Sequence, residues 1–434
     1  MDVTTIAIIA LTVMFIFLFL GMPVGFSMAL IGFCGAFYAV GKGAGLSIIR
    51  TFPYQYSSSY DMVVIPLFVL MGEVAYRSRL SWDLYLGMNK LFAGIRGSLA
   101  MATVGGCAGF AAISCSSLAT AATMGSVALP EMKKFKYNAK LATGSIAAGG
   151  TIGILIPPSI VLVVYAILTE QSIGKLFMAG FFPGLLEAGL YILTIFILTR
   201  FRPDWAPPGA KVNWGERLSA FKNLWVPASL FIVVIGGIYT GVFTPTEASA
   251  VGAFGAFVVM FARRLGSRQS IMDSLFNAGR TTGMIFAIMI GAMLMNYFLG
   301  ITKLPMKFAA YISGLQMSPL LVIIAIFIVY LILGCLMDAL AMILLTVPIF
   351  FPIIIEFGID PIWAGIFITR CVEIGGITPP IGMNVFVIHG VARDVPMYDI
   401  FKGVLPFIAA DIVCVALLVA FPQIALFLPN TMFN

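Results

Sequence analysis

Gly149-Gly150-Thr151-Ile152-Gly153-Ile154-Leu155-Ile156-Pro157-Pro158-Ser159 lies inside an apolar run otherwise long enough to cross a bilayer. Proline has no N–H and its ring clashes with the preceding turn, so the Pro pair breaks a helix here. In hydrocarbon, unwound backbone is tolerated only where it lines a cavity or is buried in protein. A simple proline kink is the plainer reading of one such break. It weakens because Gly375-Gly376-Ile377-Thr378-Pro379-Pro380 lies in a second spanning-length apolar run. Pro157 and Pro379 are separated by 379 − 157 = 222 residues. Gly153 and Gly375, Pro130 and Pro352, Pro23 and Pro245, and Ser27 and Ser249 keep the same offset. Two halves, each with a Gly/Pro-interrupted hydrophobic segment in a corresponding place, point to the binding site of a secondary transporter.

Composition agrees. The 434 residues are 61% hydrophobic and 10% charged, and the mean hydropathy is +1.06. Those values exclude the soluble globular classes and define an all-α polytopic membrane protein. The formal net charge of +7 then reports loop orientation. No basic stretch is interleaved with aromatics, so no nucleic-acid partner is expected. Cys34, Cys107, Cys115, Cys335, Cys371 and Cys414 show no CxxC spacing and read as small packing residues. His389 is the single histidine, which leaves a zinc site, a Ser-His triad or a histidine relay almost no material; an enzyme is not expected. The first apolar run follows Asp2 with no preceding Lys or Arg, a poor signal-peptide start, and reads as a retained helix.

A spanning helix needs roughly 20 apolar residues. Candidate crossings are 4–20, 24–40, 62–76 and 176–199 in the first half, and 224–240, 248–262, 281–299 and 401–428 in the second. Residues 77–96 and 301–318 mix charge with apolar positions and read as helices lying in the headgroup plane. Residues 98–130 are rich in Gly, Ala, Ser and Thr but too short for two full crossings, so a re-entrant hairpin with its tip at Ser114 to Ser117 is expected. Its counterpart is 319–352, with Asp338 at the tip. The broken helices are 141–168 and 362–390. The expected organisation is a first repeat at 1–199, a cytoplasmic linker at 200–222 and a second repeat at 223–434. Each repeat then has five crossings, one of them broken, and one hairpin.

An odd number of crossings inverts the second repeat. Loop charges give the same answer. Lys133, Lys134, Lys136 and Lys140 follow the first hairpin, whereas Glu356 and Asp360 follow the second with no Lys or Arg. The positive-inside rule places the first loop in the cytoplasm and the second outside. Arg200, Arg202, Lys211, Arg217 and Lys222, and the Arg263 to Arg280 loop, fall inside by the same rule, and both termini fall outside.

Opposed hairpins and breaks are expected to meet near the bilayer midplane. Helix N-termini at the tips favour an anion, and carbonyls freed at the breaks suit Na⁺. Ser114, Ser116, Thr120, Gly150, Gly153, Asp338, Gly375, Thr378 and Asn384 are the candidate Na⁺ residues. Taken singly, each is more ordinarily a cap or packing residue; their grouping at two symmetric breaks argues for a site. Ser116, Ser117, Asp338, Pro158, Pro380 and Arg370 are the candidate substrate contacts. Arg370 and Glu373 are three apart on one helix, so a neutralised pair is the plainer reading beside a role in holding a substrate carboxylate. Glu187 and Asp411 lie on expected frame helices, where a partner subunit or a helix–helix hydrogen bond could satisfy them. Glu73 is a further charge within an expected crossing.

Gly236-Gly237-Ile238-Tyr239-Thr240-Gly241-Val242-Phe243-Thr244-Pro245-Thr246-Glu247-Ala248 resembles the signature of the large membrane subunit of TRAP (tripartite ATP-independent periplasmic) transporters. The two breaks and the opening Gly21-Met22-Pro23-Val24 fit as well, so the resemblance spans essentially the whole chain. It implies an elevator-type fold in a bacterial inner membrane and Na⁺-coupled uptake of organic acids such as C4-dicarboxylates or sialic acids. It also implies a small four-helix membrane subunit and a soluble periplasmic binding protein as partners, with lipid around the frame. The nearest rival is a stand-alone Na⁺–dicarboxylate symporter of related architecture.

Overall fold

The computed structural model describes residues 3–209 and 213–432, and among these the regular structure is entirely helical. Both chain ends and Lys211 of the linker therefore lie outside the described residues. α1 (Val3–Phe19) leads through Gly21-Met22-Pro23 into α2 (Val24–Ser57). The second crossing spans 24–43, close to the expected 24–40. It bends at Gly41, where φ is +82°, a conformation glycine adopts without a Cβ penalty, and helix resumes beyond it. α3 (Val64–Arg77) and α4 (Leu80–Phe92) precede a helical hairpin of α5 (Ser98–Ser114) and α6 (Ser117–Lys134). Next come α7 (Ala139–Leu155), α8 (Ile160–Thr169) and α9 (Ile173–Phe201).

Short α10 (Trp214–Leu218) closes the linker, followed by α11 (Ala220–Tyr239), α12 (Pro245–Ala262), α13 (Arg268–Thr302) and α14 (Leu304–Gly314). A second hairpin is formed by α15 (Pro319–Gly334) and α16 (Ala339–Glu356). α17 (Pro361–Gly375), α18 (Met383–Val391), α19 (Met397–Ala420) and α20 (Gln423–Thr431) complete the chain. Two boundaries differ from expectation. α13 begins well before residue 281, because Ser267 caps it by accepting from the Ser270 N–H. The last crossing ends at Ala420, since Pro422 cannot continue the ladder, and α20 is a separate short helix.

Among the described residues, eight helices are long and apolar enough to cross a membrane, or nine if 45–57 and 60–77, bent by 58°, count as one. The chain is thus a multi-pass membrane protein. Burial sorts centre from edge. The broken span 139–169 has 89% of its apolar window inside the protein, whereas 215–239 has 28%. Large apolar side chains on α9 and α11 accordingly face outward, among them Phe196, Trp225 and Ile232. α5, α7 and α17 are buried along nearly their whole lengths. Small residues permit this. A Cβ on Gly375 would lie 2.6 Å from the Gly334 Cα, so α15 and α17 cross at backbone contact only because both residues are glycine.

The signature around residue 244 has a local explanation as a helix start. The Thr244 N–H donates to Glu247 Oε2 at 2.8 Å, and Thr244 Oγ1 accepts from the Glu247 N–H at 3.3 Å. Pro245 follows at the first helical position, where its missing N–H is not needed.

Candidate functional site

Each hairpin tip is built by a polar cap. Cys115 takes a left-handed conformation that closes α5, and Ser116 starts α6 by accepting from the Ala119 N–H at 3.4 Å. Asp338 starts α16 by accepting from the Leu340 N–H at 3.2 Å. The breaks are equally local. α7 ends at Leu155, Ile156 is extended as a residue before proline should be, and Ser159 caps α8. α17 ends at Gly375, and α18 begins after Gly382, whose φ is +60°. The Pro157-Pro158 and Pro379-Pro380 peptide bonds are both cis.

These four features face one cavity of about 140 Å³. Ser116 and Ser117 enter from the first tip and Asp338 from the second. Thr151 and Ile154 belong to the first broken helix, and Gly376 and Asn384 to the second. α13 adds Thr281, Met284 and Ile285 to the wall. A second cavity of about 380 Å³ shares Ser116, Ile160 and Thr281 with it. A third, of about 550 Å³, shares Tyr76 and Ser126 with the second and reaches Arg77 and Arg79. The Asn277 amide donates to Glu73 at 3.3 Å, and Arg77 pairs with Asp273 at 3.2 Å, so α3 and α13 are tied beside this path.

Of the sequence candidates, Ser116, Ser117, Asp338 and Asn384 line the central cavity. The Ser114 and Thr120 hydroxyls lie just behind, 2.6 Å apart and buried. Gly153 faces them: a Cβ there would sit 3.0 Å from both the Ser116 carbonyl oxygen and Thr120 Oγ1. The missing methyl leaves a niche whose nearest atoms are neutral oxygens, the donor type suited to Na⁺. Gly150 instead packs against Ala121, and Gly375 against Gly334. The Thr378 hydroxyl donates to the Ile374 carbonyl at 2.6 Å, and the Asn384 amide to the Ala147 carbonyl at 3.3 Å. The first half therefore offers the better formed oxygen niche.

Pro158, Pro380 and Arg370 do not line the cavity. Arg370 is fully buried, 2.7 Å from Glu187 and 2.6 Å from Glu373, and it also pairs with Asp411. The expected pairing of Arg370 with Glu373 is present, but the arginine is committed to three carboxylates and is not presented to a substrate. Of the two kinds of partner expected for Glu187 and Asp411, the same contact supplies the one between helices. They face inward to Arg370 and leave no side chain for a partner subunit. Thr151, whose hydroxyl lies 3.2 Å from Glu187, and Glu373 connect this cluster to the cavity wall. Neither Thr151 nor the α13 wall was singled out from sequence. Thr151 sits within the Gly149 to Ser159 stretch, where it was legible as the polar position between the glycines; Met284 and Ile285 carry no signal that separates them from ordinary apolar positions.

Hairpins and interrupted helices around a central cavity define a membrane transporter. The comparisons with known proteins agree. The family profile described as "Tripartite ATP-independent periplasmic transporter, DctM component" matches residues 11–424. The C4-dicarboxylate TRAP transporter large permease protein DctM of Pseudomonas aeruginosa is 40% identical over 379 residues, 87% of this chain and 88% of that protein. The sialic acid TRAP transporter large permease protein SiaM of Vibrio cholerae is 30% identical over 95% of this chain and 96% of that protein. Among solved structures, the Alcanivorax borkumensis YdaH transporter shares the fold with a TM-score of 0.66 at 14% identity, covering 88% of this chain and 90% of that one. The chain belongs to the DctM family: it is a TRAP transporter large permease, a transporter and not an enzyme.

Proposed function

We propose that this permease imports organic acids by Na⁺ symport across a bacterial inner membrane, receiving them from a periplasmic binding protein and working beside a small membrane subunit. The carrying observation is that both hairpin tips and both helix breaks face one cavity. The N-termini of α6 and α16 open onto it, which suits a carboxylate substrate. Ser114, Ser116, Thr120 and the Gly153 niche are assigned to Na⁺ in the first half, and Asp338, Thr378 and Asn384 in the second. The two halves act as inverted repeats, and the hairpins with the broken helices move as one elevator body against α2, α3, α12 and α13. The cavity path toward Arg77 and Arg79 is the release route of the captured state. A C4-dicarboxylate is the first substrate to test, because the Pseudomonas aeruginosa relative is named for that class.

The test is uptake of labelled C4-dicarboxylate and sialic acid into proteoliposomes under an imposed Na⁺ gradient, with binding protein and small subunit added or omitted. Uptake that needs the gradient, and falls in Asp338→Asn and Thr378→Ala at unchanged protein level, supports the reading. Gradient-independent uptake, or an unchanged Na⁺ response in both variants, overturns the coupling. Equal uptake without either partner favours a stand-alone symporter.

A further inference from the structure

We propose that Arg96 and Arg200 form a binding site for the headgroup phosphate of an anionic phospholipid. Both line a cavity of about 340 Å³ together with Ile95, Phe196, Thr199 and Pro203. The cavity sits where α9 leaves the apolar region, so its depth is that of the headgroups. One guanidinium nitrogen of Arg96 donates to the Pro203 carbonyl at 2.8 Å, which orients the arginine and leaves its other N–H groups available. The Arg200 side chain is exposed and, among the described residues, makes no hydrogen bond or ion pair. The wall behind them is firm: the Thr199 hydroxyl is 3.2 Å from the Arg96 carbonyl.

What lies next to the arginines selects a lipid over a free ion. Leu193, Phe196 and Ile197 are 50%, 50% and 43% exposed on the same helix, one to two turns deeper. A headgroup held between the arginines would lay its acyl chains along that stripe. The nearby charges do not cancel the site. Arg202 stacks on Trp205 with 5.8 Å from guanidinium to ring centre, and Asp204, though adjacent to Pro203 in sequence, neither lines the cavity nor pairs with either arginine.

The test uses the purified full chain in neutral detergent and follows its thermal unfolding midpoint against added phosphatidylglycerol, phosphatidylcholine or sodium phosphate. Phosphatidylglycerol is expected to raise the midpoint and the other two are not. Arg96→Gln with Arg200→Gln is expected to weaken the apparent affinity for phosphatidylglycerol roughly thirty-fold. Arg200→Gln alone, which removes no contact within the protein, is expected to weaken it roughly five-fold, and it serves if the double variant does not fold. An equal phosphatidylglycerol response in Arg200→Gln overturns the site. A response to phosphatidylcholine as large as to phosphatidylglycerol, or to phosphate alone, overturns the assignment to an anionic lipid.

Discussion

Gly153 has no Cβ, and the space this leaves beside the Ser116 carbonyl and the Thr120 hydroxyl is what the proposed Na⁺ site would use. Gly153→Ala would place a methyl 3.0 Å from both oxygens. The expected outcome is a cost of about 1–3 kcal/mol from overpacking, read in the unfolding midpoint. Na⁺-driven uptake should fall further than the stability loss explains. Arg370 behaves differently because it serves the fold. Arg370→Met would leave Glu187, Glu373 and Asp411 buried without their counter-charge. Removing one partner of a buried ion pair costs about 3–5 kcal/mol, so this variant is expected to lose folded protein on size-exclusion chromatography. A folded Arg370→Met that fails only in substrate binding would return the arginine to the substrate site.

The helices obey local rules that the sequence states openly. Prolines mark both breaks, and polar caps mark both hairpin tips, so those boundaries were legible within a few residues. Asp338 caps α16 as well as facing the cavity. Asp338→Asn should therefore keep the helix, because asparagine caps as well as aspartate, whereas Asp338→Ala should lose about 1 kcal/mol in addition to its charge. Comparing the midpoints of the two variants separates the cap from the charge. A further tie joins the end of α6 to the turn after α18. Lys133 lies 2.6 Å from Asp394 and holds that carboxyl below the usual carboxylate range. A lowered folded value means that the stabilisation is present above the ordinary carboxylate range and is lost as pH falls through the lowered one. Both groups are exposed, so the effect should be small and vanish at high salt. An Asp394→Asn midpoint measured at neutral pH and low salt checks it. What local rules could not supply was long-range pairing. Arg370 meets Glu187 and Asp411 across α17, α9 and α19, and no spacing in the chain records that those helices cross there.

At the scale of the whole molecule, the proposed transport needs two halves of opposite orientation that meet at one cavity. Loop charge predicts that orientation, and cysteine accessibility can test it. Cysteines placed at Lys134 and Arg264 should label from the cytoplasmic side, and one at Asp360 from the other; labelling of positions 134 and 360 from the same side contradicts the inverted arrangement. The most direct measurement of the central claim is the effect of Na⁺ on the stability of the purified chain. A ligand that binds only the folded state stabilises it by about 2.7 kcal/mol at a hundredfold excess over its dissociation constant. The unfolding midpoint should rise with added NaCl and not with KCl at equal ionic strength, and Ser116→Ala with Asp338→Asn should remove the difference. Equal midpoints in the two salts for the unaltered chain would contradict a Na⁺ site at the hairpin tips.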